Sequence, residues 1–252
     1  EKLSSSESRI FINGPTGAGK ELIARKIHKI SQRKNGPFIV INGALLDVKK
    51  YELELFGEEK ANGSITYGSF EKATGGILLI DEVTEIPLET QSKILRVLTD
   101  QKFKRINGNH DINVDVRIIC STSKNIYEEI KYGNFREDLF HRLNVFNIEI
   151  KPLNKRTEDI PLLIEYFSEK ISKNYNIKKI NLLPHYNYLI NYNWPGNVRE
   201  LRNLIERIAI LSPGSTDEKI LNIVKESMKS TEEKFFDLKD TLSIPLKDAR
   251  EN

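Results

Sequence analysis

The sequence predicts an α/β fold, a parallel sheet flanked by helices with a smaller all-α unit after it, and three observations predict this. Short runs that are apolar throughout alternate with helix-period segments over residues 1–150. That is the pattern of strands buried on both faces and joined by crossover helices. A glycine-rich stretch, residues 14–20, lies between the first such run and the first helical segment. After Pro152 the strand-like runs stop and amphipathic helical segments take over.

Taken in order, residues 9–13 form the first strand candidate, and residues 22–30 carry apolar side chains at helical spacing. Residues 37–42 read as a second strand entered through a Gly-Pro turn, followed by a helix-like stretch over 49–56. Residues 77–80 are four consecutive apolar side chains, and 89–98 follow with a helical pattern. Residues 114–120 repeat the strand signal. The predicted organisation is a nucleotide-binding subdomain over 1–150, a helical subdomain over 151–213, and a linker or terminal helix over 214–252. Within the helical part, 159–171 and 201–211 are amphipathic, with Thr157 and Asn197 as their predicted N-caps. The last stretch is dominated by Lys, Glu and Ser.

With 252 residues, 38% hydrophobic and 30% charged, the chain can bury a sizeable core and is not a disordered or fibrous composition. Lys+Arg 39 against Asp+Glu 36 leaves +3, too small an excess to act as a nucleic-acid footprint by itself. No apolar run approaches the ~20 residues of a membrane-spanning helix. Residues 1–8 are polar, without the basic-then-apolar order of a signal peptide. The one cysteine, Cys120, has no internal disulfide partner and sits in a strand candidate as a small buried hydrophobe. Together these predict a cytoplasmic protein without a membrane partner.

Gly14, Pro15, Thr16, Gly17, Ala18, Gly19 and Lys20 fit the spacing G-x-x-x-x-G-K between a strand and a helix, the context a phosphate-binding loop needs. Glycines let backbone N–H groups turn toward phosphates, the helix N-terminus adds partial positive charge, and Lys20 supplies a point charge at the β and γ phosphates. A glycine-rich turn with a surface lysine is the bland alternative, and the flanking strand and helix weigh against it. Glu21 stands where a Ser or Thr commonly touches Mg²⁺. Asp81 and Glu82 close the 77–80 strand, and ligands of parallel sheets gather at strand carboxyl ends. Asp81 is predicted to hold Mg²⁺, directly or through water, and Glu82 to orient and polarise the water that attacks the γ-phosphoryl group of ATP. ATP, ADP and Mg²⁺ are therefore the predicted ligands.

Arg136 and Arg142 fall in residues 133–142 and admit two readings. They stabilise charge on a transferring phosphoryl group, or they form ion pairs within the chain to Glu137 or Asp138. His28, His110, His141 and His185 show no metal-ligand spacing, and no Gly-x-Ser-x-Gly elbow is present. Tyr186, Tyr188, Tyr192 and Trp194, beside Lys178 and Lys179, read as helical core packing ahead of stacking on nucleic acid.

With these residues in place, nearly the whole chain resembles the central AAA+ ATPase domain of bacterial sigma-54-dependent transcription activators. The distinctive pieces are Gly17-Ala-Gly-Lys-Glu21, Glu54-Leu-Phe-Gly57, Gly75-Gly-Ile-Leu-Leu-Ile-Asp-Glu82, Val114-Asp-Val-Arg117, Phe135-Arg-Glu-Asp-Leu139, Glu158-Asp-Ile-Pro161 and Trp194-Pro-Gly-Asn-Val-Arg-Glu-Leu201. The resemblance implies a RecA-like AAA+ P-loop NTPase with a small helical lid, and it accounts for Glu21, since that family's loop ends in Lys-Glu. It implies that Asn42 is a switch residue holding Glu82 away from water. Thr122 and Ser123 take the sensor I position, Ser123 standing where the family often has Asn. Arg136 and Arg142 match the arginines supplied to a neighbouring subunit's nucleotide, and Arg199 the sensor II arginine of the lid. A site of this kind is completed in a homo-oligomer, a hexameric or heptameric ring that is dimeric when inactive.

One departure is informative. The family's Gly-Ala-Phe-Thr-Gly-Ala loop, which grips the sigma factor, is expected between Gly57 and Gly68, but only residues 58–67 lie there, with another sequence. The shortened loop argues against sigma-54 contact. With residues 89–98 and 117–123 it resembles the NtrX branch of response regulators, phosphorylated by an NtrY-like sensor kinase. Such regulators carry an N-terminal phosphoacceptor domain and bind DNA through a C-terminal helix-turn-helix. Residues 1–8 then read as the end of an interdomain linker and 243–250 as the lead-in to the DNA-binding domain. The resemblance implies an oligomerisation-dependent ATPase that controls transcription. The alternatives are a non-catalytic, nucleotide-gated oligomerisation module and a true sigma-54 activator.

Overall fold

A computed structural model describes residues 6–45, 50–177, 181–211 and 218–228. The chain forms two units, Glu1–Lys151 and Pro152–Asn252. In the first, strands β1 (Ile10–Asn13), β2 (Phe38–Asn42), β5 (Ile77–Asp81), β8 (Arg117–Thr122) and β9 (Phe146–Glu149) make one sheet in the order β2-β5-β8-β1-β9. Every neighbouring pair in it is parallel.

Alternation along the strands supplies a core on each face. Phe11, Leu78, Ile80, Ile118 and Cys120 join the helices Tyr51–Phe56, Leu88–Asp100 and Glu137–Leu143 on one side. Ile10, Ile12, Ile77, Leu79 and Ile119 meet Ala24 and Ile27 of helix Lys20–Ile30 on the other. Strand β9 escaped the sequence reading because it is an edge strand with Phe146, Asn147 and Glu149 exposed, so it shows no wholly apolar run.

Two short hairpins complete this unit. Strands β3 (Gly57–Glu59) and β4 (Ile65–Tyr67) pair antiparallel where the sigma-gripping loop was expected, and β6 (Lys102–Phe103) pairs with β7 (Ile112–Asn113). The hairpins are tied together through the N–H of Glu59 on the carbonyl of Ile106 and the N–H of Ile106 on that of Gly57, both at 3.0 Å. Arg105 fastens the junction. Its Nε and Nη2 reach the two carboxylate oxygens of Glu71 at 2.8 and 2.6 Å, and its Nη1 reaches Glu59 at 2.8 Å. The guanidinium also lies over the Tyr67 ring, 5.4 Å from its centre. Arg105 and Glu71 are only 10% and 11% exposed. Arg105→Ala should therefore destabilise the protein by about 2 kcal/mol, between the ~1 of a surface pair and the ~3–5 of breaking a fully buried one. Arg105→Lys should recover only part of the loss, because an ammonium lacks the bidentate fork. Thermal denaturation of the two variants checks both expectations.

The second unit is helical: Asp159–Tyr175, Tyr186–Asn191, Asn197–Leu211 and residues 218–228. Leu153, Ile160, Ile164, Leu189, Trp194, Leu201, Ile205 and Ile208 fill its core, and residues 218–228 add Ile220 and Val224. Trp194 is buried, donating its indole N–H to the carbonyl of Leu189 at 2.7 Å with the Tyr192 ring edge-on to it. Tyr188 is half exposed beneath the Lys225 ammonium. Lys178, Lys179, residues 212–217 and the expected lead-in at 243–250 lie outside the described residues.

Neither predicted cap holds. Glu158, not Thr157, precedes helix Asp159–Tyr175, and Thr157 offers its backbone carbonyl to Ile160. Asn197 is itself the first helical residue, with φ 53°, and its side-chain carbonyl accepts the N–H of Leu153 at 2.8 Å. A tertiary hydrogen bond has taken the atom that local capping would have used.

Candidate nucleotide-binding site

The loop from Gly14 to Gly19 joins β1 to helix Lys20–Ile30. Gly17 and Gly19 have φ of 76° and 104°, left-handed values that L side chains rarely adopt and that turn successive N–H groups to one side. Gly14 is required for another reason. A Cβ there would lie 2.8 Å from the carbonyl oxygen of Ile150, just beyond β9. Ala18 is buried, Thr16 is exposed at the bend, and Pro15 accepts the Ala18 N–H at 3.1 Å. Glu21 turns to the outer face of the helix and pairs with Arg25 at 2.6 Å. Lys20 is 6% exposed, and its Nζ donates to the Gly14 carbonyl and sits 3.0 Å from Glu82 Oε1.

Asp81 ends β5. Its Oδ2 accepts the Asn42 amide at 3.2 Å and its Oδ1 accepts the Ser121 hydroxyl at 2.5 Å. Asn42 thus holds Asp81, not Glu82 as expected. The reason is register: Asn42 pairs with Asp81 at the ends of β2 and β5, whereas Glu82 lies one residue beyond. Glu82 has φ 52°, ψ 52°, a left-handed conformation unusual for a residue with a side chain. Its carbonyl packs so close to Gly43 that a Cβ there would lie 2.5 Å away. Its Oε2 accepts both the N–H and the hydroxyl of Ser123, each at 2.8 Å.

Of the sensor I pair, Ser123 is therefore on the site, while Thr122 is buried and bonds Thr84 at 2.9 Å. Ser121 was missed by the sequence reading because it looks like an interior strand position. Only the adjacency of β5 and β8, with Ile80 opposite Cys120, brings it beside Asp81. The Cys120 thiol is fully buried, and desolvation pushes its pKa far up, so it is no nucleophile. Among the described residues no group of three or more His, Cys, Asp or Glu side chains is placed to hold a metal ion by itself.

The sheet ends thus assemble Lys20, Asn42, Asp81, Glu82, Ser121 and Ser123. The arginines are not in that cluster. Arg136 places Nε and Nη2 on Asp138 at 3.0 and 2.6 Å and Nη1 on Ser92 at 3.1 Å. This is the intramolecular pairing that the sequence left open. It raises the Arg136 pKa and lowers that of Asp138, in each case chiefly through their mutual hydrogen bond. Both groups are well exposed, at 41% and 50%, so the pair is weakly held. Arg142 is exposed, and its guanidinium finds no acceptor among the described residues. Arg199 is exposed in helix Asn197–Leu211 of the second unit.

The family described as "Sigma-54 interaction domain" matches residues 1–149, and the one described as "AAA+ ATPase lid domain" matches 154–234. The chain is 45% identical over 222 residues to the nitrogen assimilation regulatory protein NtrX of Azorhizobium caulinodans, covering 87% of this chain and 49% of that one. It is 42% identical over 262 residues to a putative NtrX-like response regulator of Rickettsia typhi, covering 100% and 54%. The crystal structure of NtrX from Brucella abortus in complex with ATP matches with a TM-score of 0.84 at 43% identity, over 99% of this chain and 56% of that one. The chain spans about half the length of the curated relatives it matches.

Proposed function

Because the chain belongs to the Sigma-54 interaction domain family of AAA+ proteins, we propose that it binds ATP and, once assembled, hydrolyses it within an NtrX-like response regulator. The observation that carries this is the convergence of Lys20, after β1, with Asp81 and Glu82, at the end of β5, on the carboxyl edge of one parallel sheet, below a loop with two left-handed glycines. The NtrX of Brucella abortus, crystallised with ADP and with ATP, supports the same ligand here.

The reaction is ATP plus water to ADP plus phosphate. Loop N–H groups of Gly17, Gly19 and Lys20 cradle the phosphates, and the Lys20 ammonium binds the β and γ oxygens. Glu82 accepts a hydrogen bond from the attacking water and aims it at the γ phosphorus. Mg²⁺ fits the donors present. Asp81 is a carboxylate steadied by Asn42 and Ser121, and this ion commonly takes one or two carboxylates plus phosphate oxygens and water. It neutralises phosphate charge when bound. Glu21, paired outward with Arg25, takes no part in holding it. Arg136 and Arg142 would act on a neighbouring subunit's nucleotide, and Arg199 would serve as the sensor II arginine of the helical unit.

The wider proposal is a cytoplasmic regulator, dimeric when inactive and a hexameric or heptameric ring when active. It would be phosphorylated by an NtrY-like kinase and bind DNA through a helix-turn-helix. The β3–β4 hairpin, fastened by Arg105 in place of a gripping loop, supports transcription control without sigma-54 contact. A second reading, nucleotide binding without turnover, is favoured by the pairing of Arg136 with Asp138. Turnover measured against protein concentration, with molar mass from light scattering in ADP and in ATP, separates them. Turnover per subunit that climbs with assembly is the expected result. Binding without turnover at any assembly state would establish the second reading.

A further inference from the structure

Both oxygens of the Glu82 carboxylate are engaged. Oε1 meets the Lys20 ammonium at 3.0 Å, and Oε2 accepts the N–H and hydroxyl of Ser123 at 2.8 Å each. A carboxylate held in this way is poorly disposed to accept a hydrogen bond from water, and it lies on the lysine that a nucleotide's phosphates must reach. The left-handed backbone at 82, packed against Gly43, fixes where the side chain starts, so its release is a matter of side-chain rotation.

The two holds differ in kind. Lys20 is a cation, which a polyphosphate carrying more negative charge than one carboxylate draws away. Ser123 is a neutral donor and keeps its grip when Lys20 leaves. Asn42 has its amide on Asp81, so the restraint on Glu82 falls to the sensor I position in this chain.

We propose that Ser123 is a positioning residue that latches Glu82 onto Lys20, so that an incoming triphosphate must displace the carboxylate from the lysine before Glu82 can turn to water. This deepens the ATPase reading above and rests on it. Ser123 is exposed, so alanine at this position leaves no cavity and removes one donor only.

The test uses the 252-residue chain. Binding of the non-hydrolysable imido analogue of ATP is measured by calorimetry, and steady-state turnover is measured at saturating ATP. With the backbone N–H of residue 123 still in place, Ser123→Ala should bind the analogue about threefold tighter or more. Ser123→Thr, which keeps the hydroxyl, should return the affinity to the wild-type value. A gain smaller than threefold, or a gain that threonine fails to reverse, would overturn the latch. If the wild type binds but never turns over, hydrolysis is refuted and the affinity series alone decides the latch. A wild-type chain that binds no analogue would refute both.

Discussion

Lys20→Ala is expected to weaken ATP binding by more than about 100-fold while the chain stays folded. The phosphates lose a buried cation that serves two of them, and charge-assisted hydrogen bonds of roughly 1.5–3 kcal/mol each place the loss near 3 kcal/mol or above. Lys20 also neutralises Glu82, so the alanine variant leaves that carboxylate facing the phosphates with only Ser123 to hold it, which adds repulsion to the lost attraction. Calorimetry on the wild type and the variant reads the effect directly. A thermal scan adds a second measure. Saturating ATP should raise the wild-type midpoint and leave that of Lys20→Ala unmoved, because stabilisation by a ligand follows its occupancy. Equal affinity in the two proteins would refute the phosphate assignment of Lys20, and with it the nucleotide site.

The parts of this site legible in the sequence were those written locally. Residues 14–20 carry their own strand, loop and helix, and Asp81-Glu82 closes a run of apolar residues, so each could be placed without knowing what lay beside it. The relations between them were not legible. That Gly14 must be glycine because of Ile150, or that Ser121 holds Asp81, depends on strand order and register, which bring together residues 136 and 40 positions apart in sequence. Asn42 shows the same limit. The family resemblance made it a switch on Glu82, but its register with Asp81 decides which carboxylate it touches. Strand β9 and the cap at Asn197 failed because an edge strand needs no apolar face toward solvent, and because a side-chain oxygen goes to whichever donor the tertiary fold presents. Arg136 is the remaining case. The sequence offered two partners for it, and the single chain displays one of them.

Arg136→Ala is therefore expected to leave ATP affinity within about twofold of the wild type and to lower turnover in the assembled protein by about 10³-fold. The affinity is spared because Arg136 contacts none of the residues around Lys20 within its own chain. The turnover falls because an arginine supplied to a transferring phosphoryl group contributes ~10³ to 10⁵ in rate. The pair with Asp138 does not preclude this role. It is exposed on both sides and holds weakly, so a phosphate presented by a neighbouring subunit can compete for the guanidinium. Mixing supplies the decisive control. Lys20→Ala subunits bind no nucleotide but retain Arg136, whereas Arg136→Ala subunits bind nucleotide and lack the arginine. Each is inactive alone, and an equimolar mixture should recover turnover only if the arginine of one subunit serves the nucleotide of the next. A mixture no more active than its components would place Arg136 with Asp138 as a structural pair and refute its service to a neighbour's nucleotide.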